Sequence, residues 1–242
     1  MSQNSDKIYS QPLEAITDFV FDQSVARVFQ DMIGRSVPGY ATLLSMLPVL
    51  AQEYVQDDSR CYDLGCSLGA VSLALRHSIK RENVSIIAVD NSLDMINQCK
   101  TYFVQDEHPI PVELRCADIT AIEISDATLI VMNFTLQFIS PDKRQGLINT
   151  IYAGLKPGGA LVLSEKLLLS DSEQSLMSTL HQNFKKLNGY SDLEISQKRS
   201  ALEHVLISDT LDSHKRRLQS AGFKTVTLWF QCFNFVSLLA IK

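Results

Sequence analysis

The chain has 242 residues, of which 45% are apolar, 20% charged and 8% aromatic; this excludes a fibrous repeat and wholesale disorder and leaves ample length for a buried core. Its 22 Lys and Arg stand against 27 Asp and Glu, a net charge of -5, so no sequence-independent grip on a nucleic-acid backbone is advertised and a small-molecule substrate is the better starting point. No stretch approaches the roughly 20 uninterrupted apolar residues that cross a bilayer, and a soluble cytoplasmic protein with no membrane association is expected.

Residues 15–30 and 40–55 carry helical spacing and predict a helical cap over 1–56, with Arg35-Ser36-Val37-Pro38-Gly39 as a turn able to fold over a pocket mouth. From 57 to 165, apolar runs of strand length alternate with helical segments, the mark of an α/β core with a parallel sheet covered by helices. Strands are predicted at 60–64, 84–89, 112–116, 127–132 and 160–163. Helices are predicted at 70–78, 93–103 and 143–155, the last stopped by Pro157-Gly158-Gly159. Residues 172–187 and 196–206 predict a helical insertion within 166–210, interrupted at Asn188-Gly189. A helix at 213–221, with Lys215-Arg216-Arg217 on its solvated face, precedes apolar strands at 225–230 and 233–241; Gln231-Cys232 between them predicts an edge hairpin that closes 211–242. With no repeat or linker in view, one domain spans 1–242.

Chemistry gathers where strands end. Asp63-Leu64-Gly65-Cys66-Ser67-Leu68-Gly69 leaves the first strand and opens a helix, where Gly65 and Gly69 allow a tight turn and helix-terminal N–H groups face a ligand. Ser67 and Ala70 replace the later glycines of a G-x-G-x-x-G run, which weakens a pyrophosphate reading. Asp90, beside Asn91, lies about 25 residues beyond the glycine turn, as expected for a carboxylate that receives two ribose hydroxyls. Asp118, beside Ile119, ends the third strand and suits an adenine amino group, and Asn133 ends the fourth. Singly, each acid could be a helix cap; together they describe a nucleoside site. Cys66 sits at a helix start where a thiol pKa can fall, yet no histidine partner is apparent and no nucleophile is assigned. Five scattered cysteines argue against a disulfide scaffold, and five histidines without metal-ligand spacing predict no metal site.

The 63–69 turn, Asp90, Asp118 and Leu155-Lys156-Pro157-Gly158-Gly159 before a strand resemble the class I S-adenosylmethionine-dependent methyltransferases. That likeness implies a Rossmann-like, seven-stranded, mostly parallel sheet with a C-terminal antiparallel hairpin. A narrower set of blocks is similar to the carboxy-S-adenosyl-L-methionine synthase family: Phe21-Asp22, Asp31-Met32-Ile33, Arg35 through Tyr40, Asn133 through Phe138, Glu194 through Arg199, and Leu228 through Phe235. The resemblance implies that S-adenosyl-L-methionine and prephenate give carboxy-S-adenosyl-L-methionine and phenylpyruvate, the sulfonium methyl becoming an ylide that captures released carbon dioxide. A separate transfer-RNA carboxymethyltransferase then uses the product at a wobble uridine. It also implies cofactor contacts from Tyr40, Gly65, Cys66, Ser67, Asp90, Asn91, Asp118, Ile119, Asn133 and Arg199, in a homodimer whose neighbouring subunit lies against or supplies Arg199.

A carboxylate on the sulfonium needs a planar donor that a methyl does not, which suits Arg199 with help from the Tyr40 hydroxyl. No residue is identified as the base for the methyl proton. Trp229 and the phenylalanines at 230, 233 and 235 read as sheet core rather than substrate platform. The alternatives are a methyltransferase acting on a small acid or on transfer RNA, and a non-catalytic partner that keeps the nucleoside site.

Overall fold

The computed structural model describes residues 5–242, so residues 1–4 of the expected cap lie outside it. Seven strands form one sheet: β1 (Ser59–Leu64), β2 (Val84–Asp90), β3 (Val112–Cys116), β4 (Ala127–Asn133), β5 (Leu155–Lys166), β6 (Thr225–Cys232) and β7 (Phe235–Ile241). Their order is β3-β2-β1-β4-β5-β7-β6. The first five run parallel, and β7 is antiparallel to both β5 and β6. The expected class I fold with its antiparallel closing hairpin is therefore the fold observed.

Central strands buried on both faces must be apolar on both, and β4 is buried at every position but the last. Cys61, Leu129, Val131 and Val162 pack on one face against Leu43 and Leu47 of α2 (Tyr40–Tyr54) and Val71 and Leu75 of α3 (Ala70–Arg76). Tyr62, Leu64, Ile130 and Met132 pack on the other against Leu147, Ile148 and Ile151 of α5 (Pro141–Gly154) and Leu218 of α8 (Leu211–Ala221). α4 (Leu93–Gln105) contributes Ile96 beside Ala88. No helix among the described residues is long and apolar enough to cross a membrane.

Caps move several boundaries from their expected places. α1 is Gln23–Ser36 rather than 15–30, because the Asp22 carboxylate accepts from the Val25 N–H at 3.0 Å and starts the helix there. Phe19, upstream, is extended and donates its N–H to Ala201 O at 2.8 Å. α6 is Asp171–Leu187. α7 is Asp192–Leu202 rather than 196–206, since Ser191 and Glu194 form a capping box that starts the helix early. α5 ends at Gly154, not at Pro157-Gly158-Gly159; those residues lie inside β5, where a register shift opposite Ala127 and Leu129 accommodates them. A Cβ on Gly154 would lie 2.4 Å from Ile124 O, which leaves room only for glycine at that helix end. The hairpin turn is Phe233 and Asn234, not Gln231 and Cys232, for Cys232 still pairs with Phe235. Phe233 takes a left-handed φ of 53°, and Asn234 exchanges bonds with Leu167, receiving its N–H at 2.7 Å and donating Nδ2 to its carbonyl at 3.0 Å.

Arg144 of α5 is fully buried and holds the carboxyl end of the sheet to the segment after α7. Its guanidinium donates to Ile139 O at 2.8 Å, Ile207 O at 2.8 Å and Asp209 Oδ2 at 2.7 Å. Arg217 shares Asp209 at 2.8 Å, so the basic run at 215–217 is not wholly a solvated face. Removing the guanidinium takes away the buried donor that ties Ile139 O, Ile207 O and the Asp209 carboxylate together. Arg144→Met is expected to cost about 3–5 kcal/mol of unfolding free energy in a urea titration; a loss below about 1 kcal/mol would contradict this role.

Candidate active site

Chain order reverses between β1 and β4, and in doubly wound sheets the crevice outside the carboxyl ends at such a reversal receives ligands. A cavity of about 830 Å³ opens there. Tyr40, Gly65, Cys66, Ser67, Asp90, Asn91, Asp118, Ile119, Asn133 and Arg199 all line it, so residues spread over 160 positions of sequence reach one space.

The glycine turn is closed by its own bonds. Val89 O accepts the N–H groups of Gly65 at 2.8 Å and Cys66 at 3.0 Å, and Asp90 Oδ2 accepts that of Ser67 at 2.9 Å. Asp63, buried beneath the turn, accepts the Ser72 N–H at 3.1 Å and its hydroxyl at 2.7 Å. The N–H groups at 65–67 are thus spent inside the protein. Ser67 stands at a left-handed φ of 47° where a dinucleotide-binding turn carries glycine. Gly65 has φ 83° and a Cβ there would lie 2.3 Å from Thr135 Oγ1.

Asp90 is buried, and its Oδ1 accepts the Ser92 N–H at 2.9 Å; burial raises its pKa, opposed by these N–H donors. Asp90 lines the cavity, and each of its oxygens, accepting one hydrogen bond, has acceptor capacity left. Asp118 is exposed, its Oδ1 taken by the Thr120 N–H and hydroxyl, both at 2.8 Å, which lower its pKa. Asn133 Oδ1 is buried with no partner among the described residues and so calls for a donor from a ligand. Burial and then the Asp63 carboxylate raise the Tyr40 hydroxyl pKa, keeping it a neutral donor. Cys66 is corrected: the Cys99 thiol and burial raise its pKa well above the ordinary value, the reverse of an activated nucleophile. Trp229 and Phe230 pack against the α2 face as expected, whereas Phe235 lines the cavity.

A family model described as a methyltransferase domain matches residues 62–159. Carboxy-S-adenosyl-L-methionine synthase of Shewanella woodyi is 55% identical over 243 residues, covering 100% of both chains. The enzyme of the same name from Marinobacter nauticus is 56% identical over 226 residues, covering 93% of this chain and 90% of its own. The chain belongs to the carboxy-S-adenosyl-L-methionine synthase family. Among solved structures, human N-acetylserotonin methyltransferase in complex with SAM superposes with a TM-score of 0.60 at 18% identity; it covers 91% of this chain but 55% of its own, and the likeness extends to the fold.

Carboxy-S-adenosyl-L-methionine synthases are transferases, and this cavity offers a sulfonium nucleoside two fitting features: the orphaned Asn133 Oδ1 and the Asp90 oxygens, each of which accepts a single hydrogen bond and has acceptor capacity left. The cavity also contains residues the sequence reading did not single out. Gln174, Ser178, His181, Gln182 and Lys185 of α6 line it, spaced so that they share one helical stripe, and Lys166 reaches it from the end of β5. That polar stripe was the available signal, hidden because α6 otherwise reads as a surface helix. Lys198, beside Arg199, is buried rather than solvated: its ammonium lies 3.6 Å from Asp6 and donates to Ser36 Oγ at 3.1 Å.

His181 donates Nε2–H to Ser36 O at 2.8 Å, and burial, then Lys185, hold its pKa down to about 3. The unfolded chain binds a proton at this ring below about 6.5, while the native state does not. The stabilisation from neutral His181 is therefore complete above that pH and drains as pH falls toward 3. In thermal unfolding, His181→Gln is expected to be less stable than wild type at pH 7.5, with the gap narrowing at pH 5; a gap that stays constant would show that His181 does not titrate in this way.

Proposed function

We propose that this chain converts S-adenosyl-L-methionine and prephenate into carboxy-S-adenosyl-L-methionine, phenylpyruvate and water. It works as a cytoplasmic homodimer whose one domain spans 1–242, and its product supplies the carboxymethyl donor with which a separate enzyme modifies a wobble uridine of transfer RNA. S-adenosyl-L-methionine is the substrate and carboxy-S-adenosyl-L-methionine the product. Full-length identity of 55% to carboxy-S-adenosyl-L-methionine synthase of Shewanella woodyi supports the reaction class.

The observation that carries the reading is charge at the reacting end. Methyl transfer needs no cation beside the methyl group, but a carboxylate grown on the sulfonium does. Arg199 and the Tyr40 hydroxyl, both on the cavity, are a planar cation and a neutral donor suited to it. Asp90 would receive the ribose hydroxyls, Asp118 the adenine amino group and Asn133 Oδ1 a donor of the amino-acid end. Bound there, the sulfonium supplies an acidified methyl whose carbon takes up the carbon dioxide lost from the prephenate ring; the ring hydroxyl departs with the methyl proton as water, so atoms and charge balance without a protein base.

Pure protein incubated with both substrates is expected to yield a nucleoside heavier by one carboxyl group in mass spectrometry. An unchanged nucleoside, or S-adenosylhomocysteine with a methylated acceptor, would contradict the reading. Arg199→Ala should weaken carboxy-S-adenosyl-L-methionine about tenfold more than S-adenosylhomocysteine, since a charge-assisted hydrogen bond is worth about 1.5–3 kcal/mol. Equal losses in calorimetry would remove Arg199 from carboxylate recognition.

A further inference from the structure

Four cations from three elements converge on the cavity: Lys166 at the end of β5, Lys185 on α6, and Lys198 and Arg199 on α7. Only Lys198 has an acid nearby, Asp6 at 3.6 Å; among the described residues no carboxylate comes within ion-pair distance of Lys166, Lys185 or Arg199. Lys166 and Lys185 are half-buried. Burial, then Lys198, Lys166 and Arg199, hold Lys185 down to about 7, and burial, then Arg199, lower Lys166. His181, on the same helix as Lys185, is neutral and tied to Ser36, so it offers no counter-charge. Like charges gathered on one cavity without acids to pair them persist where an anion is due.

The nucleoside does not supply that anion. S-adenosyl-L-methionine carries an ammonium and a sulfonium against one carboxylate, a net positive ligand, and its carboxylated form is only neutral. We propose that Lys166 and Lys185 form the binding site for the carboxylate that the second substrate keeps through the reaction, a subsite distinct from the Arg199 position. This rests on the function proposed above. The ring of Phe235 has its centroid 5.8 Å from Lys166 Nζ and 4.9 Å from the His181 ring, so an apolar plate lies beside the cations, suited to a six-membered ring whose side chain carries the retained carboxylate.

Chemistry decides which carboxylate the lysines hold. A cation on the leaving carboxylate would stabilise the charged ground state, lose its partner as neutral carbon dioxide forms, and so raise the barrier. A cation on the retained carboxylate binds ground and transition states alike, and its loss raises KM with little change in kcat.

The test is calorimetry with phenylpyruvate, which keeps that carboxylate, titrated into protein saturated with S-adenosylhomocysteine. Lys185→Met and Lys166→Met should each weaken phenylpyruvate about tenfold while S-adenosylhomocysteine affinity, the check on folding, stays within about twofold. Lys185→Arg, which retains the charge, should keep most of the phenylpyruvate affinity. In turnover, the Met variants should raise KM for prephenate with kcat nearly constant. Unaltered phenylpyruvate affinity in the Met variants, no phenylpyruvate binding by wild type, loss in Lys185→Arg equal to that in Lys185→Met, or a fall in kcat at constant KM would each overturn the assignment. Lysine-dependent phenylpyruvate binding by a wild type that forms no carboxylated nucleoside would leave the anion site standing and refute the proposed reaction instead.

Discussion

The hydrogen bond from the Ser67 N–H to Asp90, 2.9 Å long, joins the turn after β1 to the tip of β2, and the architecture of the cavity follows from it. Parallel strands deliver all their carboxyl ends to one edge, but an edge of free loops would have no defined shape. Here Val89 O and Asp90 consume the N–H groups of the glycine turn, and Asp63 pins the start of α3 through Ser72. The side chains of Asp90, Asp118 and Asn133 line the cavity along this edge, with Tyr40 of α2 beside them. The left-handed Ser67 is a local strain that this bonding holds in place.

The second constraint is electrostatic and runs against the composition. A chain with a net charge of -5 gathers Lys166, Lys185, Lys198 and Arg199 around this cavity. A recess with low-dielectric walls strengthens their field, which suits the proposed reaction, in which a net positive nucleoside and an organic dianion give a carboxymethyl group on sulfur. Asp90, Asp118 and Asn133 form one half of this lining, and the cations the other. The two halves lie on different parts of the chain, the first on β1 to β4 and the second on β5, α6 and α7.

This division explains what could be read from sequence. Gly65, Asp90, Asp118 and Asn133 were legible because each ends a strand, and the strand pattern alone brings strand ends together. Arg199 was legible only through resemblance, since nothing in its own segment distinguishes it from an exposed helix charge. Lys166 and Lys185 were not legible, because their convergence depends on how α6 lies over the edge, a packing fact without a local signature. Boundaries were missed where a single capping side chain overrides periodicity, as at Asp22 and in the Ser191 and Glu194 box. The turn at Phe233 and Asn234 was missed because a phenylalanine in the left-handed region is an improbable choice that the Asn234 bonds to Leu167 make tenable.

The central claim is that a cation-rich cavity at this sheet edge is matched to a sulfonium nucleoside that bears an added carboxylate. Side-by-side calorimetry of wild-type protein with carboxy-S-adenosyl-L-methionine and with S-adenosyl-L-methionine at low salt tests it most directly. The account predicts that the carboxylated ligand binds at least about tenfold more tightly, with the difference shrinking as salt is raised. Equal affinities, or tighter binding of the uncarboxylated form, would contradict it.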